Sequence, residues 1–266
     1  MMRKERTVME VKGCAVITGA SSGIGRELAR RLAAEGWPLV LCARREEALR
    51  ALAVELEKSC GVHCGMVAAD LGTEEGTETL LRALEERELG VFVNCAGFGL
   101  AGSFAETELS RELEMLDVNV RAVLVLTKHV LRRMKAQGHG CLLNVASSAG
   151  LLPAGPFLSA YYASKAYAAS LTQAIHEELR EEKSPVRVSC LCPGPVDTEF
   201  NAVANVRFAL PGITAAYCAD CALRGLARGQ AVIVPSLRMK LAVAGARFVP
   251  RGLLVRLTAG QQRKKL

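Results

Sequence analysis

The stretch Cys14-Ala-Val-Ile-Thr-Gly-Ala-Ser-Ser-Gly-Ile-Gly25 joins an apolar run to a helical pattern through a glycine-rich turn. Glycines let the backbone approach a ligand closely, and the first turn of a helix offers unpaired N–H groups and a positive dipole end. The glycine spacing, G-x-x-x-G-x-G, is neither that of a Walker loop nor the common G-x-G-x-x-G. The position after the first strand predicts a dinucleotide site; a tight strand–helix connection without a ligand is the alternative.

Apolar runs alternate with longer segments of helical period along the rest of the chain. Because these runs lack polar alternation, they are typical of strands buried on both faces of a parallel sheet. The predicted strands are Cys14–Thr18, Leu39–Ala43, Val62–Ala68, Val91–Asn94, Cys141–Val145, Val186–Leu191 and Ala231–Val234, and the predicted helices are Gly23–Glu35, Glu46–Lys58, Thr73–Glu88, Ser110–Ala136 and Ala160–Glu182. This order predicts an α/β fold, a single doubly wound Rossmann-type domain over residues 1–266 with about seven parallel strands and helices on both faces.

The chain has 266 residues, ten cysteines and a net charge of +7. Most cysteines lie in or beside apolar runs, and neither Cys218-x-x-Cys221 nor Cys60-x-x-His63-Cys64 has a second pair at zinc spacing. We therefore predict no metal site and a reduced, cytoplasmic protein. No segment has the pattern of a signal peptide or a membrane span.

Basic residues concentrate in segment 236–266, where they alternate with Leu, Val and Phe. A solvated terminus is the favoured interpretation of these charges. The segment is also amphipathic, so contact with an anionic membrane surface is an alternative that the sequence permits without favouring. It could equally cover the opening of the substrate site or contact a neighbouring subunit. Nucleic-acid binding is not expected, because no aromatic stacking platform accompanies the charge.

The second predicted strand ends in Ala43-Arg44-Arg45. Enzymes that use NAD(H) usually place a carboxylate at this point for the ribose 2′-hydroxyl, whereas an arginine suits a 2′-phosphate. The sequence therefore predicts NADP(H) rather than NAD(H) as the cofactor. The alternative is that Arg44 and Arg45 simply begin a solvated helix.

Tyr161 and Lys165 are spaced one helical turn apart, so their side chains share a helix face. An ammonium beside a phenol favours the phenolate and lowers the tyrosine pKa toward neutrality, which suits an acid/base role. The pair is preceded by a strand ending in Asn144-Val145-Ala146-Ser147-Ser148, at the sheet edge where a substrate would lie.

With these motifs in this order, the sequence resembles the short-chain dehydrogenase/reductase family, in the branch with a Thr-Gly-x-x-x-Gly-x-Gly loop and a Tyr-x-x-x-Lys site. The resemblance covers about residues 13–235 and departs from the family pattern at Cys95, which replaces an asparagine. It implies the catalytic residues Asn119, Ser148, Tyr161 and Lys165. It implies the cofactor-binding residues Gly19, Ser21, Ser22, Gly23, Ile24, Gly25, Arg44, Arg45, Asp70, Leu71, Asn94, Ala96, Gly97, Tyr161, Lys165, Pro193, Gly194, Val196 and Thr198.

The resemblance also implies a role for each of the catalytic residues. Tyr161 would exchange a proton with the substrate oxygen while a hydride moves to or from the nicotinamide. Ser148, thirteen positions before Tyr161, would hold that oxygen, in preference to its neighbour Ser147. Lys165 would bind the nicotinamide ribose, and Asn119 would hold a water that connects Lys165 to solvent.

Apolar residues follow both the predicted serine and Thr198, and the family uses the second region, about residues 199–213, as a substrate lid. A hydrophobic alcohol or carbonyl, such as a steroid, an acyl group or a lipid-derived ketone, is therefore the expected substrate; ordinary core packing is the alternative. Family members are usually homodimers or homotetramers, here expected through the long helices 110–136 and 160–182. A non-catalytic NADP(H)-binding sensor or scaffold of the same fold is the alternative function.

Overall fold

The glycine-rich loop follows an inner strand of a parallel sheet. The computed structural model describes residues 9–10, 12–200, 204 and 212–263. The strands are β1 (Cys14–Thr18), β2 (Leu39–Ala43), β3 (Cys64–Ala68), β4 (Leu89–Asn94), β5 (Cys141–Val145), β6 (Arg187–Leu191), β7 (Val196–Asp197), β8 (Ile213–Thr214) and β9 (Val232–Ile233). Strands β7 and β8 form a separate short pair, and the other strands form one sheet.

The main sheet has seven strands in the order β3-β2-β1-β4-β5-β6-β9, and each neighbouring pair runs parallel. Strand β1 lies between β2 and β4, so the direction in which the chain crosses the sheet reverses there. Such a reversal leaves a crevice at the carboxyl ends of the strands, where open α/β sheets bind their ligands. The predicted doubly wound α/β fold is confirmed.

Helices cover both faces of this sheet. They are α1 (Gly23–Ala34), α2 (Glu46–Cys60), α3 (Glu74–Leu84), α4 (Leu109–Leu116), α5 (Val123–Gln137), α6 (Ser159–Glu181), α7 (Ala215–Ala227), α8 (Leu237–Ala246) and α9 (Arg251–Arg263). Alternate residues of β1 point to opposite faces: Ala15 and Ile17 join a core with α1, α2 and α7, whereas Cys14 and Val16 join a core with α3, α5 and α6. The apolar strands therefore separate two hydrophobic layers.

The structure refines the predicted helix over residues 110–136. A π-helical segment, Asp117–Ala122, lies between α4 and α5, and it contains the buried Asn119. Insertions of this kind are frequent at functional sites. The structure also contains elements that the sequence did not predict: the strand pair β7 and β8, the helices α7, α8 and α9, and a 3₁₀ turn at Ser148–Leu151 shortly after β5.

Much of the predicted lid (about 199–213), namely residues 201–203 and 205–211, lies outside the described residues, as do the last three residues of the basic segment. The described part of that segment forms α8 and α9. Among the described helices, none is long and apolar enough to cross a membrane.

Candidate active site

The glycine-rich loop turns tightly between β1 and α1. Gly19 has φ +67°, and a Cβ there would lie 2.9 Å from the amide nitrogen of Ala96, so the loop requires glycine. A Cβ on Gly25 would lie 2.3 Å from the carbonyl oxygen of Gly19, so this position also requires glycine. Ser22 caps α1 through its extended backbone without a side-chain bond, and the helix therefore presents free N–H groups toward the crevice.

A cavity of about 760 Å³ opens over this loop at the carboxyl ends of the strands. Its walls contain most of the residues proposed from the sequence: Gly19, Ser21, Ser22, Gly23, Ile24, Gly25, Arg44, Arg45, Asp70, Leu71, Ala96, Gly97, Ser148, Tyr161, Lys165, Pro193, Gly194, Val196 and Thr198. Asn94 and Asn119 are not in the walls. Asn94 is buried behind them, where its amide donates to Thr127 (3.1 Å) and Asn144 (2.9 Å), so its observed contacts hold β4 to β5.

Tyr161 lines the cavity and is partly buried, with its ring 5.6 Å from the ring of Phe200. Burial raises the pKa of its phenol to about 12, and a hydrogen bond from Ser147 acts in the opposite direction. Burial disfavours the charged phenolate, and Lys165 is not among the groups that shift this pKa, so the acidification expected from Lys165 does not set its direction. The phenol is therefore protonated at neutral pH, which is the form that donates a proton.

The serine that contacts Tyr161 is Ser147, whereas counting along the sequence selects Ser148. Ser147 continues the extended backbone of β5 (φ −168°, ψ 160°), and the 3₁₀ turn begins only at Ser148. The Ser147 hydroxyl also accepts the amide N–H of Ala149 at 3.1 Å. Ser148 lines the cavity, is mostly buried and donates its backbone N–H to Pro193 at 2.7 Å. We therefore assign the predicted serine role to Ser147 in the proposal below.

Lys165 is buried one helical turn after Tyr161, and its ammonium lies 5.9 Å from the centre of the Tyr161 ring. It donates to the carbonyl oxygen of Val145 at 3.1 Å. Burial lowers the pKa of Lys165. An ammonium has three donors, and no other hydrogen bond to this one is found among the described residues, so it can still bind hydroxyl groups in the cavity.

Asn119 fixes the wall behind Lys165. Its amide donates to the carbonyl oxygen of Phe98 (2.9 Å) and to the hydroxyl of Ser164 (3.1 Å), and its oxygen accepts the N–H of Phe98 (3.2 Å). These bonds occupy both donors of the side-chain amide, and the water relay to Lys165 stays a prediction. The observed contacts make Asn119 a positioning residue between the loop after β4 and helix α6.

Two arginines border the opposite end of the cavity, after β2. Arg44 is largely exposed and lies 3.9 Å from Asp70. Arg45 donates to the hydroxyl of Ser21 at 3.2 Å and pairs with Glu199 at 3.0 Å. Ser21 belongs to the glycine-rich loop, so Arg45 connects the end of β2 to that loop.

Helix α9 forms part of the cavity wall. Gln262 is buried, and its amide donates to the Tyr162 hydroxyl at 2.5 Å, while its side-chain oxygen has no partner among the described residues. Thr258 lies one turn earlier on the same cavity wall, and Met239 of α8 packs against Gly194. The sequence motifs select Ser148 rather than its neighbour Ser147. Glu199, Met239, Thr258 and Gln262 belong to no motif, so the sequence did not assign them to the site.

The model of the short chain dehydrogenase family matches residues 13–207 of this chain. The chain belongs to the short-chain dehydrogenase family. A very-long-chain 3-oxoacyl-CoA reductase of Anas platyrhynchos is 32% identical over 74% of this chain and 64% of its own length. The match therefore spans slightly less than two thirds of that relative.

Solved structures of the family agree with the fold. A short-chain dehydrogenase from Sphingobium yanoikuyae in complex with NADPH superposes with a TM-score of 0.81, at 31% identity over 91% of this chain and 95% of its own. One from Burkholderia phymatum in complex with NAD has a TM-score of 0.80, at 27% identity over 96% and 98% of the two chains. Members of similar structure thus bind either nicotinamide cofactor.

The cavity of this family member suits a nicotinamide dinucleotide. Its volume lies in the range of cofactor and ligand sites, and cationic groups stand at both ends, with Arg44 and Arg45 at one and the buried Lys165 at the other. The glycine-rich loop between them offers backbone N–H groups for phosphates. Among the described residues, no group of three or more His, Cys, Asp or Glu side chains could hold a metal ion.

Proposed function

We propose that this protein reduces a hydrophobic ketone or aldehyde with NADPH, or catalyses the reverse oxidation of the alcohol. One observation supports this proposal most strongly: Ser147, Tyr161 and Lys165 line the cavity that the glycine-rich loop borders, and the Lys165 ammonium lies 5.9 Å from the centre of the Tyr161 ring. The cavity wall therefore combines a hydrogen-bond donor (Ser147), a proton donor (Tyr161) and a cation (Lys165).

In the reductive direction, the substrate carbonyl oxygen would accept hydrogen bonds from Ser147 and Tyr161. When bound, NADPH supplies the hydride that adds to the carbonyl carbon. Tyr161 gives its proton to the oxygen as the alcohol forms, so the C=O double bond is reduced and the phenolate remains. Lys165 stabilises that phenolate, which solvent then reprotonates.

The high pKa of Tyr161 fits proton donation better than proton removal in the cofactor-free protein. For oxidation of an alcohol, the phenolate would first have to form. We propose reduction as the favoured direction because NADPH is the proposed cofactor.

The cofactor preference of the proposal depends on Arg44 and Arg45. The chain continues from β2 into Arg44 and Arg45 rather than into a carboxylate. Both guanidinium groups border the cavity, beside the carboxylates of Asp70 and Glu199. A guanidinium can bind a phosphate through two parallel hydrogen bonds. We propose NADP(H) on this ground.

The substrate class of the proposal depends on the apolar walls around Tyr161. Side chains from four regions contribute: Phe98, Leu152, Leu158, Phe200 and Met239. Such walls favour a bulky aliphatic or polycyclic carbonyl, and the relative named for very-long-chain 3-oxoacyl-CoA is consistent with that class.

Self-association is proposed through α4, α5 and α6. Leu109 and Leu113 lie one turn apart on α4 and are exposed, as is Leu124 on α5. Exposed apolar side chains on neighbouring helices are typical of subunit interfaces. Mass photometry is expected to show a dimer or tetramer, and a Leu109→Ser/Leu113→Ser variant is expected to dissociate.

The proposed activity is tested by replacing Tyr161 with Phe, which removes the proton donor and keeps the ring. NADPH oxidation with a panel of steroid, acyl and small ketones is expected to fall about 10²- to 10⁴-fold, the usual contribution of an acid/base group. NADPH binding, followed by its fluorescence, is expected to persist. Full activity of the variant would refute the mechanism, and absence of turnover in the wild type despite NADPH binding would favour a sensor or scaffold.

A further inference from the structure

Helices α8 and α9 carry an apolar surface that no other described residue covers. Helix α8 has no buried residue, which is unusual for a helix of this apolar composition. Phe248, between the two helices, is 89% exposed. We name as the C-terminal face the exposed apolar residues Leu237, Leu241, Phe248, Leu253 and Leu257 with the basic residues Arg238, Lys240, Arg247, Arg251 and Arg256.

The charge of this face has a single sign. The chain contains no Asp or Glu after Asp220, and residues 236–266 contain eight Lys or Arg. In the portion that the structure describes, none of the five basic residues of the C-terminal face forms an ion pair. The C-terminal face therefore combines exposed apolar side chains with positive charges that no described acidic side chain neutralises.

The C-terminal face adjoins the cavity. Met239 of α8 and Thr258 of α9 line the cavity from within, on the same two helices that carry the face. Gln261 also lines it and is exposed, so α9 borders its opening. A partner that covers the face would lie next to the route by which a substrate enters.

We propose that the C-terminal face docks on the surface of an anionic lipid bilayer. Exposed Leu and Phe side chains interleaved with Arg and Lys are what such a surface recognises, since the apolar groups enter the headgroup region and the cations meet anionic lipids. A second copy of the same face would bring like charges together and is disfavoured. A nucleic acid would use the cations and leave the exposed leucines without a role.

Docking in this orientation places the opening of the cavity at the lipid surface. A hydrophobic substrate could then pass from the bilayer into the cavity without crossing water. This consequence rests on the proposed function, whereas the docking itself does not, so the test below measures binding rather than turnover.

The test is co-sedimentation of the full-length protein with sucrose-loaded vesicles of phosphatidylcholine, with or without phosphatidylserine. The protein is expected to sediment with anionic vesicles, more weakly with neutral ones, and less in high salt. An Arg247→Gln/Arg251→Gln variant is expected to bind anionic vesicles more than tenfold more weakly, from roughly fivefold per cation removed. A Leu241→Ser/Phe248→Ser variant is expected to lose binding to both kinds of vesicle.

The matched control is Val54→Ser/Lys58→Gln, which removes an exposed apolar residue and a cation from α2 and is expected to bind like the wild type. Circular dichroism and NADPH binding check that each variant folds. Equal affinity of the wild type for both vesicles, or unchanged binding of the arginine variant, would overturn the proposal. So would mass photometry showing that Leu241→Ser/Phe248→Ser converts an oligomer to a monomer, since a second copy would then occupy the face.

Discussion

The hydroxyl of Ser147 lowers the pKa of the Tyr161 phenol, which burial raises. The two residues come from different elements, the end of β5 and the start of α6, and meet only because both face the cavity at the carboxyl edge of the sheet. The pair therefore connects the position of the proton donor to the topology of the sheet.

The Tyr161 phenol is expected to lose its proton only at high pH in the cofactor-free protein. The difference in tyrosinate absorbance between the wild type and Tyr161→Phe should show a step near the pKa of about 12, above the ordinary value of 10.0. Because the native state retains this proton longer than the unfolded state, its contribution to stability is fully present below pH about 10 and is lost as the pH rises toward about 12. A step at or below the ordinary value would contradict this account of burial.

Gly97 is expected to tolerate no side chain. A Cβ there would lie 2.6 Å from the Asn119 amide oxygen and 3.2 Å from the Lys165 ammonium. Gly97→Ala should displace Lys165 and lower kcat by roughly 10²-fold, as misplacement of a catalytic group by about 1 Å does. Gly245→Ala on α8, where nothing lies within 4 Å, is the control and should keep full activity. Equal activities would show that Lys165 does not need this position.

Arg44 is expected to set the cofactor preference. Arg44→Asp replaces a phosphate-binding cation by an anion, so the KM for NADPH should rise roughly tenfold to hundredfold while that for NADH falls or stays unchanged. Arg50→Asp, farther along α2, is the control and should alter neither constant. If the ratio of the two KM values is the same in Arg44→Asp as in the wild type, the residue has no part in discrimination.

Gln262 and Tyr162 are expected to depend on each other. Tyr162→Phe leaves the buried Gln262 amide without its acceptor and should lower the free energy of unfolding by about 1–3 kcal/mol. In the double variant Tyr162→Phe/Gln262→Leu no polar group is left unpaired, so the loss should be smaller than the sum of the two single losses. Urea unfolding measures the cycle, and strictly additive losses would mean that α9 is not held by this bond.

The sequence pattern was sufficient to predict the sheet, because buried parallel strands are apolar throughout and the glycine loop marks the first crossover. It could not decide between Ser147 and Ser148, since that choice depends on where extended backbone gives way to a 3₁₀ turn. Nor could it place Gln262, which reaches Tyr162 across 100 residues of chain. Asn94 and Asn119 match family motifs, yet their side chains are used to join elements of the fold.

The pKa of Tyr161 marks a second limit of the sequence. The spacing of Tyr161 and Lys165 predicts attraction between phenolate and ammonium, and burial opposes it through desolvation of the phenolate. Only a structure shows that the phenol is enclosed, and the sign of the shift follows from that enclosure.

The most direct measurement compares kcat for ketone reduction by NADPH in Ser147→Ala and Ser148→Ala, each checked for NADPH binding. The site geometry predicts that Ser147→Ala loses about 10²-fold or more, because the substrate oxygen loses the hydrogen bond from the Ser147 hydroxyl. It predicts that kcat of Ser148→Ala stays within about threefold of the wild type, a smaller effect than the loss of one hydrogen-bond donor to the substrate oxygen. The reverse ranking, with Ser148→Ala inactive and Ser147→Ala near wild type, would contradict the assignment.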